Sequence, residues 1–100
     1  MLRTPATSAW PVAFLTSGMW YVYIVRCADR TLYTGVARDL SARLAAHNAG
    51  RGAKYTRARL PVKLIYQETV TNRSAAQRRE HAIKRLSRAE KRALAKTRLS

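Results

Sequence analysis

The chain is 100 residues long and carries 20 Lys and Arg residues against five acids, which gives a formal net charge of +15. This length allows one domain at most, and a hydrophobic content of 47% is ordinary for a globular protein, which argues against disorder throughout. The positive charge attracts polyanions, among which nucleic acid comes first. A ribosome-associated protein and a binder of membrane surfaces are the alternatives.

The sequence does not resemble that of a membrane-spanning or secreted protein. No stretch reaches the ~20 apolar residues of a membrane span, and the apolar segment 9–15 is broken by Pro11 and lacks a convincing cleavage site. The single cysteine, Cys27, cannot form an internal disulfide and follows an apolar run, so we expect a buried structural thiol. These features predict a cytoplasmic protein without a membrane partner.

Residues 1–18 differ in composition from the rest of the chain. They contain two of the three prolines, several Ser and Thr residues, and one charge, Arg3. We interpret them as a flexible N-terminal extension or as a mis-assigned start that precedes the true first residue, Met19. The folded domain is then expected to span residues 19–100.

The first elements in chain order are two strands and a helix. The aromatic and β-branched run 20–25 and the run 32–36 predict strands that pair as an antiparallel hairpin. Asp39 is a candidate N-cap for a helix whose apolar positions include Leu40 and Leu44. Gly50 ends this helix and opens a glycine-rich basic loop.

A third strand and two more helices complete the predicted domain. Pro61 precedes the strand, at 62–70, and Asn72 or Ser74 caps the second helix. Ser87 caps the third helix. The order β-β-α-β-α-α predicts an α/β fold in which a small three-stranded sheet with an antiparallel hairpin carries the helices packed on it.

Five polar residues on these elements form a candidate catalytic set. Tyr23 and Tyr33 lie on the two strands of the hairpin, and Arg43 and His47 are four apart on one helix face, at the edge of its apolar stripe. Glu80 borders the apolar stripe of the second helix, where a partly buried acid needs a cation. Phosphodiester hydrolysis requires a cation for the phosphate, a carboxylate for a metal and a group that activates water.

Each of these residues also has a structural interpretation. Tyr23 and Tyr33 fit a cross-strand packing pair, and Arg43 fits a solvated helix position. His47 near a helix C-terminus complements the helix dipole. Glu80 stands four residues before Lys84, the favourable order for a surface ion pair.

The ordered set resembles the GIY-YIG nuclease family. The triplets Tyr21-Val22-Tyr23 and Tyr33-Thr34-Gly35 stand in the places of the two triplets that name the family. The runs 47–50 (His-Asn-Ala-Gly) and 79–84 (Arg-Glu-His-Ala-Ile-Lys) are similar to its short stand-alone bacterial members. The resemblance covers roughly residues 19–95 and extends to the N-terminal domain of a bacterial excision-repair nuclease.

The resemblance implies a site and a reaction. Glu80 would ligate a single Mg²⁺ or Mn²⁺ ion, Arg43 would clamp the scissile phosphate, and Tyr23 and Tyr33 would position or deprotonate the attacking water. A tyrosine acting as base would need help from the metal or from Arg43 and His47, so the identity of the base stays open. The expected activity is a metal-dependent DNA endonuclease that selects DNA structure rather than sequence, in repair or recombination.

This sequence departs from the larger members of the family at one position. Larger members carry an asparagine about twelve residues beyond the glutamate. Here that position is near Arg92, and no Asn or Gln follows Gln77.

Other basic and aromatic residues are candidates for nucleic-acid binding. Basic side chains near glycine-rich backbone would meet phosphates, and an aromatic ring among them would stack on an unpaired base. The set comprises Arg38, Arg51, Lys54, Tyr55, Arg57, Arg59, Arg79 and Lys84. Their structural interpretation is a solvated helix surface.

Three functional hypotheses follow from the sequence. The first is the DNA endonuclease, acting on branched or damaged DNA. The second is a catalytically weak module that binds DNA or RNA and needs a protein partner. The third is an RNA-associated protein with the nuclease fold. The scarce Glu80 favours the first, whereas the lone carboxylate and the absent asparagine favour the second.

Overall fold

The computed structural model describes residues 19–99, with side chains through residue 96, so the expectations for residues 1–18 lie outside the described residues. The predicted α/β order is confirmed, with one additional short helix, α2. The elements are β1 (Trp20–Arg26), β2 (Leu32–Ala37), α1 (Leu40–Asn48), α2 (Lys54–Arg57), β3 (Lys63–Val70), α3 (Arg73–Lys84) and α4 (Arg88–Leu99).

The three strands form one antiparallel sheet of order β2-β1-β3. In the predicted hairpin, Tyr23 stands opposite Gly35 and Val25 opposite Tyr33. Because successive side chains of a strand point to opposite faces, the central strand β1 contributes to two separate cores. Residues 21–25 are accordingly all buried.

The two faces of the sheet carry different layers. Tyr21, Tyr23 and Val25 pack with Leu40 at the start of α1 and with Val62 just before β3. On the other face, Val22 and Ile24 pack with Ala76 and Ile83 of α3 and with Ala95 of α4. The candidate site residues of β1 and α1 therefore lie on the first face, which we call the α1 face, and the last two helices cover the α3–α4 face.

The predicted helix caps are present. Asp39 Oδ1 accepts a hydrogen bond from the Ala42 amide at 3.0 Å, and Asn72 Oδ1 accepts one from the Ala75 amide at 2.8 Å. Ser87 and Glu90 exchange side-chain and backbone hydrogen bonds in a capping box at the start of α4. These side chains satisfy amides that a helix leaves without an intrahelical partner.

A further expectation from the sequence concerns the burial of Cys27. Cys27 follows β1, is only 3% exposed and forms no disulfide, as expected. Within residues 19–99, no helix is both long enough and apolar enough to cross a membrane.

Candidate active site

Tyr23 anchors the site on the central strand. Its side chain is fully buried, and its ring lies over Gly35, the cross-strand partner. A Cβ atom at position 35 would stand 2.6 Å from the Tyr23 hydroxyl oxygen. The second triplet therefore ends in glycine because any side chain there would occupy the space of the Tyr23 ring.

Two residues of α1 contact the Tyr23 hydroxyl. Arg43 Nε donates to this oxygen at 3.4 Å, and His47 Nε2 lies 2.8 Å from it. Their spacing of four places both side chains on one face of α1, directed at β1. The predicted grouping of Tyr23, Arg43 and His47 is present in the structure.

A threonine that sequence reasoning missed extends this group. Thr56 of α2 is fully buried, and its Oγ1 lies 2.8 Å from His47 Nδ1. Thr56 Oγ1 also donates to the Ala53 carbonyl at 3.0 Å. Since the hydroxyl has one proton, its oxygen is left to accept from His47 Nδ1–H.

The direction of the remaining hydrogen bonds follows from that assignment. With the proton of His47 on Nδ1, Nε2 carries the lone pair and accepts the Tyr23 O–H. The buried chain thus runs from Arg43 Nε through the Tyr23 hydroxyl and the His47 ring to Thr56 and the Ala53 carbonyl. The hydrogen-bond partners of the two ring nitrogens thus define the tautomer of His47.

The electrostatics agree with this arrangement. Burial, with the nearby Arg43 charge, lowers the pKa of His47, which favours a neutral imidazole. Burial raises the pKa of the Tyr23 hydroxyl against the opposing effect of Arg43, which keeps Tyr23 protonated. Hydrogen bonding to Tyr23 raises the pKa of Arg43. The resting site therefore has one fixed positive charge, a protonated tyrosine and a neutral histidine.

Tyr33 borders the same group from β2. Its ring meets the His47 ring edge-on, with centroids 5.6 Å apart, and stacks on Tyr55 at 5.9 Å. Lys84 Nζ lies 5.9 Å from the centroid of the Tyr33 ring. Tyr33 thus stands between the buried histidine and the more exposed Tyr55 and Lys84.

Glu80 approaches from α3, which contacts both β1 and β2. Its carboxylate is near enough to contribute to the raised pKa of Tyr23. Glu80 Oε2 also pairs with Lys84 Nζ at 3.3 Å, and the Glu80 side chain is 22% exposed. Glu80 is therefore an ion-pair partner of Lys84 that also acts electrostatically on Tyr23, and its role as a metal ligand stays a prediction.

The acids available for a metal are few. No group of three or more His, Cys, Asp or Glu residues that could hold an ion occurs within the described part of the chain. Glu80 is a single, partly exposed carboxylate, a donor that fits a hard cation retaining most of its waters. The site suits Mg²⁺ or Mn²⁺ completed by water and by oxygens of a substrate.

Six of the eight predicted nucleic-acid-binding residues lie on or near α2 and at the end of α3. Arg51, Lys54 and Arg57 are exposed on and before α2. Tyr55 is 39% exposed, and the guanidinium of Arg59 lies 3.9 Å from its ring centroid. Tyr55 and Lys84 both contact the ring of Tyr33, so these two residues border the Tyr23 group.

Two members of that set lie elsewhere. Arg79 Nε donates to Glu68 Oε1 at 2.7 Å and links α3 to β3 on the α3–α4 face. The guanidinium of Arg38 lies 5.5 Å from the Trp20 ring centroid. Neither residue joins the Tyr23 group.

Gly52 is a further residue that sequence reasoning did not assign to the site. A Cβ atom at this position would collide with the His47 ring. Within the glycine-rich segment, Gly52 leaves room for the His47 ring. The only sequence signal for this is the glycine itself, three residues before an aromatic and basic run.

Comparison with known proteins identifies the class to which this fold and site belong. The family model of the GIY-YIG catalytic domain matches residues 19–93. The chain therefore belongs to the GIY-YIG family, as the two triplets indicated.

Relatives within the family are small proteins that share most of their length with this chain. A UPF0213 protein of Desulfotalea psychrophila is 54% identical over 78 residues, which are 77% of this chain and 71% of the relative. A UPF0213 protein of Staphylococcus haemolyticus is 56% identical over 71 residues, 71% of this chain and 87% of the relative.

Two solved solution structures share the fold. A UPF0213 protein of Bacillus halodurans is 39% identical, with a TM-score of 0.52, and the match covers 79% of this chain and 84% of the other. A protein of E. faecalis is 35% identical, with a TM-score of 0.55, and covers 82% and 88% of the two chains.

Proposed function

We propose that this protein is a divalent-metal-dependent endonuclease that hydrolyses phosphodiester bonds in DNA. The observation that carries the proposal is the buried chain from Arg43 through Tyr23 and His47 to Thr56, with Glu80 beside it. This arrangement combines a proton acceptor, a fixed cation and a carboxylate within one small region. Membership of the GIY-YIG family supports the same activity.

The base in this proposal is Tyr23 acting with His47. A tyrosine with a raised pKa does not lose its proton at neutral pH without help. His47 Nε2 accepts that proton as the Tyr23 oxygen takes one from the attacking water, so no free phenolate accumulates. The Thr56 hydroxyl stabilises the resulting imidazolium through Nδ1–H.

Arg43 and Glu80 serve the phosphate and the metal. Arg43 Nε is engaged by Tyr23, which leaves the terminal guanidinium nitrogens to donate to a phosphate oxygen. A metal held at Glu80 would supply Lewis-acid stabilisation of the negative charge that develops on the phosphate. Glu80 must exchange its pairing with Lys84 for that cation, and Lys84 is then available to a phosphate.

Glu80→Gln tests the proposal directly. This variant keeps the size of the side chain but removes the charge, so we expect the loss of Mg²⁺-dependent cleavage and nearly unchanged DNA binding in EDTA. Glu90→Gln is the matched control, since Glu90 is an exposed acid in the capping box of α4. Cleavage is measured on labelled duplex, nicked, flapped, four-way and single-stranded DNAs, and on RNA. Cleavage at the wild-type rate by Glu80→Gln would refute the assignment.

A second candidate function rests on the ion pair between Glu80 and Lys84. If that pair persists with substrate bound, the protein is a nucleic-acid-binding module whose catalysis requires a partner. The same panel separates the two functions. A module binds these substrates but cleaves none of them with Mg²⁺ or Mn²⁺. Preferential cleavage of nicked, flapped or four-way DNA would support a role in repair or recombination.

A further inference from the structure

A basic pocket lies on the sheet face opposite the Tyr23 ring. It has a volume of about 940 Å³ and is lined by the hairpin end of β1 and β2, the start of β3, and α4. None of the described residues that line it is Asp or Glu. Its cationic side chains are Arg26, Arg30, Lys63, Arg88, Arg92 and Lys96.

The register of the sheet places two of these exposed cations on neighbouring strands as direct cross-strand partners. Arg26 of β1 and Lys63 of β3 are paired across the strands, so both side chains project from the same face. Like charges in this position destabilise a sheet unless an anion lies between them. The three ion pairs found in the described part of the chain are Arg59–Asp29, Arg79–Glu68 and Lys84–Glu80, so none of them relieves this repulsion.

The helix above the pocket is fixed in place by one of its own arginines. Arg88 Nη2 donates to the Arg30 carbonyl at 2.7 Å, which ties the first turn of α4 to the hairpin. Arg92 follows four residues later and therefore lies on the same face of α4. The positive charges come from the sheet and from a helix anchored to it, so the pocket is positioned before any ligand binds.

We propose that this pocket binds the phosphate backbone of nucleic acid at a segment separate from the scissile phosphate. The proposal takes its partner from the proposed function. Arg26 is three residues beyond Tyr23, roughly 10 Å along the strand at 3.3 Å per residue, and it projects from the other face. One phosphate cannot contact both sites, so the domain holds two backbone segments at once. A branched or bent duplex presents two such segments, whereas a straight duplex offers them less readily.

The test compares two double variants of the full chain by fluorescence anisotropy in EDTA. Arg26→Gln/Lys63→Gln removes the cross-strand pair, and Arg78→Gln/Arg85→Gln removes two exposed charges outside both sites, one on α3 and one at its C-cap. For a four-way junction, we expect the pocket variant to lose affinity by on the order of tenfold or more. Its salt slope should fall by about two, since each phosphate contact contributes about 0.9 to that slope. For the control we expect a loss below about threefold and a smaller change in slope.

Several results would overturn the proposal. Equal losses in the two variants would mean that only the general positive field acts, and unchanged binding by the pocket variant would mean that no backbone segment lies there. Loss of binding to anionic lipid vesicles with retained DNA affinity would assign the pocket to a membrane surface instead. Arg92→Gln provides a second variant on another element if the double variant does not fold.

The test is independent of catalysis. Binding is read without divalent metal, so a protein that never cleaves DNA can still confirm or refute the pocket. Conversely, failure of the pocket variant to weaken binding leaves the test at Glu80 unaffected. The two proposals can therefore fail separately.

Discussion

In the proposed mechanism, Thr56 acts on the base without contacting the substrate. Its hydroxyl donates to the Ala53 carbonyl and accepts from His47 Nδ1, which fixes the lone pair of His47 on Nε2. We expect Thr56→Val, which keeps the shape but removes the acceptor, to lower kcat by at least about tenfold with KM nearly unchanged. Thr56→Ser should restore most of the rate, because it retains the hydroxyl.

The tautomer of His47 distinguishes a positioning role of Thr56 from simple destabilisation of the protein. Nitrogen NMR of the imidazole should show Nδ1 protonated in the wild type and in Thr56→Ser, and a mixture of tautomers in Thr56→Val. Equal loss of activity in the two variants, or an unchanged tautomer in Thr56→Val, would contradict the positioning role.

The lowered pKa of His47 predicts how the unfolding free energy and the cleavage rate change with pH. Its folded-state pKa lies below the ordinary value of about 6.5, so the unfolded chain takes up a proton at higher pH than the folded protein does. The contribution to the unfolding free energy is fully present above about pH 6.5 and declines as the pH falls to the folded-state pKa. Cleavage should weaken over the same acid range, because protonated His47 cannot accept the Tyr23 proton.

Urea titrations between about pH 7.5 and 5 measure this slope. His47→Gln should remove a large part of it. The exposed His81 offers a matched control, since His81→Gln must retain the slope if the slope belongs to His47. A wild-type slope in His47→Gln would show that other groups determine the acid sensitivity.

Among individual residues, the sequence predicted those that the strand and helix periods and the two family triplets could locate. The period of two on β1 and the spacing of four on α1 placed Tyr23, Arg43 and His47 correctly relative to one another. Thr56 could not be found in this way, because a glycine-rich segment of irregular backbone separates it from His47. The catalytic roles of all these residues remain predictions.

Among the elements, the junction of α1 and β3 depends on one side chain. Asn48 Oδ1 accepts from the Val62 amide at 2.7 Å, and Asn48 Nδ2 donates to the Val62 carbonyl at 3.2 Å. Asn48 thereby acts as a strand partner for the residue just before β3. It also keeps the C-terminal end of α1, and so His47, beside the sheet.

We expect Asn48→Ala to lower the unfolding free energy by about 1–3 kcal/mol, because it leaves the two polar groups of the buried Val62 without this partner. That loss corresponds to a decrease in Tm of roughly 4–8 °C per kcal/mol for a domain of this size. Gln77→Ala, at an exposed position of α3, is the control and should change stability by less than about 0.5 kcal/mol. Equal stability of the two variants would show that Asn48 contributes no net stabilisation.

The elements that the sequence predicted are those with a clear period or cap. Three strands and three helices were expected, with Asp39 and Ser87 as caps and either Asn72 or Ser74 at the second helix, where the structure has Asn72. The short α2 was not predicted, because four residues are too few to show a helical period. α2 carries Thr56, so the missed element and the missed residue have the same cause.

Across the whole molecule, the two proposed sites lie on opposite faces of one sheet. β1 contributes Tyr23 to the α1 face and Arg26 to the α3–α4 face, so one strand positions the candidate active site and the candidate second binding site. A small domain has a limited surface for binding. If both proposals hold, the two faces of the central strand allow this domain to contact two backbone segments at once.

The charge of the whole chain predicts opposite effects of salt on folding and on binding. A net charge of +15 on 100 residues destabilises the compact state through self-repulsion. Raising NaCl from about 0.1 to 1 M shortens the screening length from about 10 to 3 Å, which should raise the Tm of the free protein. The same salt should weaken DNA binding steeply, because each phosphate contact releases counterions.

Salt also screens the attractive ion pairs, which opposes the rise in Tm, but these ion pairs are few and weak. Partly exposed pairs such as Arg59–Asp29 and Lys84–Glu80 contribute roughly 0–1 kcal/mol each, and five acids cannot offset twenty basic residues. Differential scanning fluorimetry across the salt series measures the shift in Tm, and a non-ionic osmolyte at equal osmolality controls for exclusion of cosolute from the surface. A Tm that falls with NaCl would mean that the ion pairs outweigh the repulsion, and the basic residues would then be stabilised within the fold rather than available to nucleic acid.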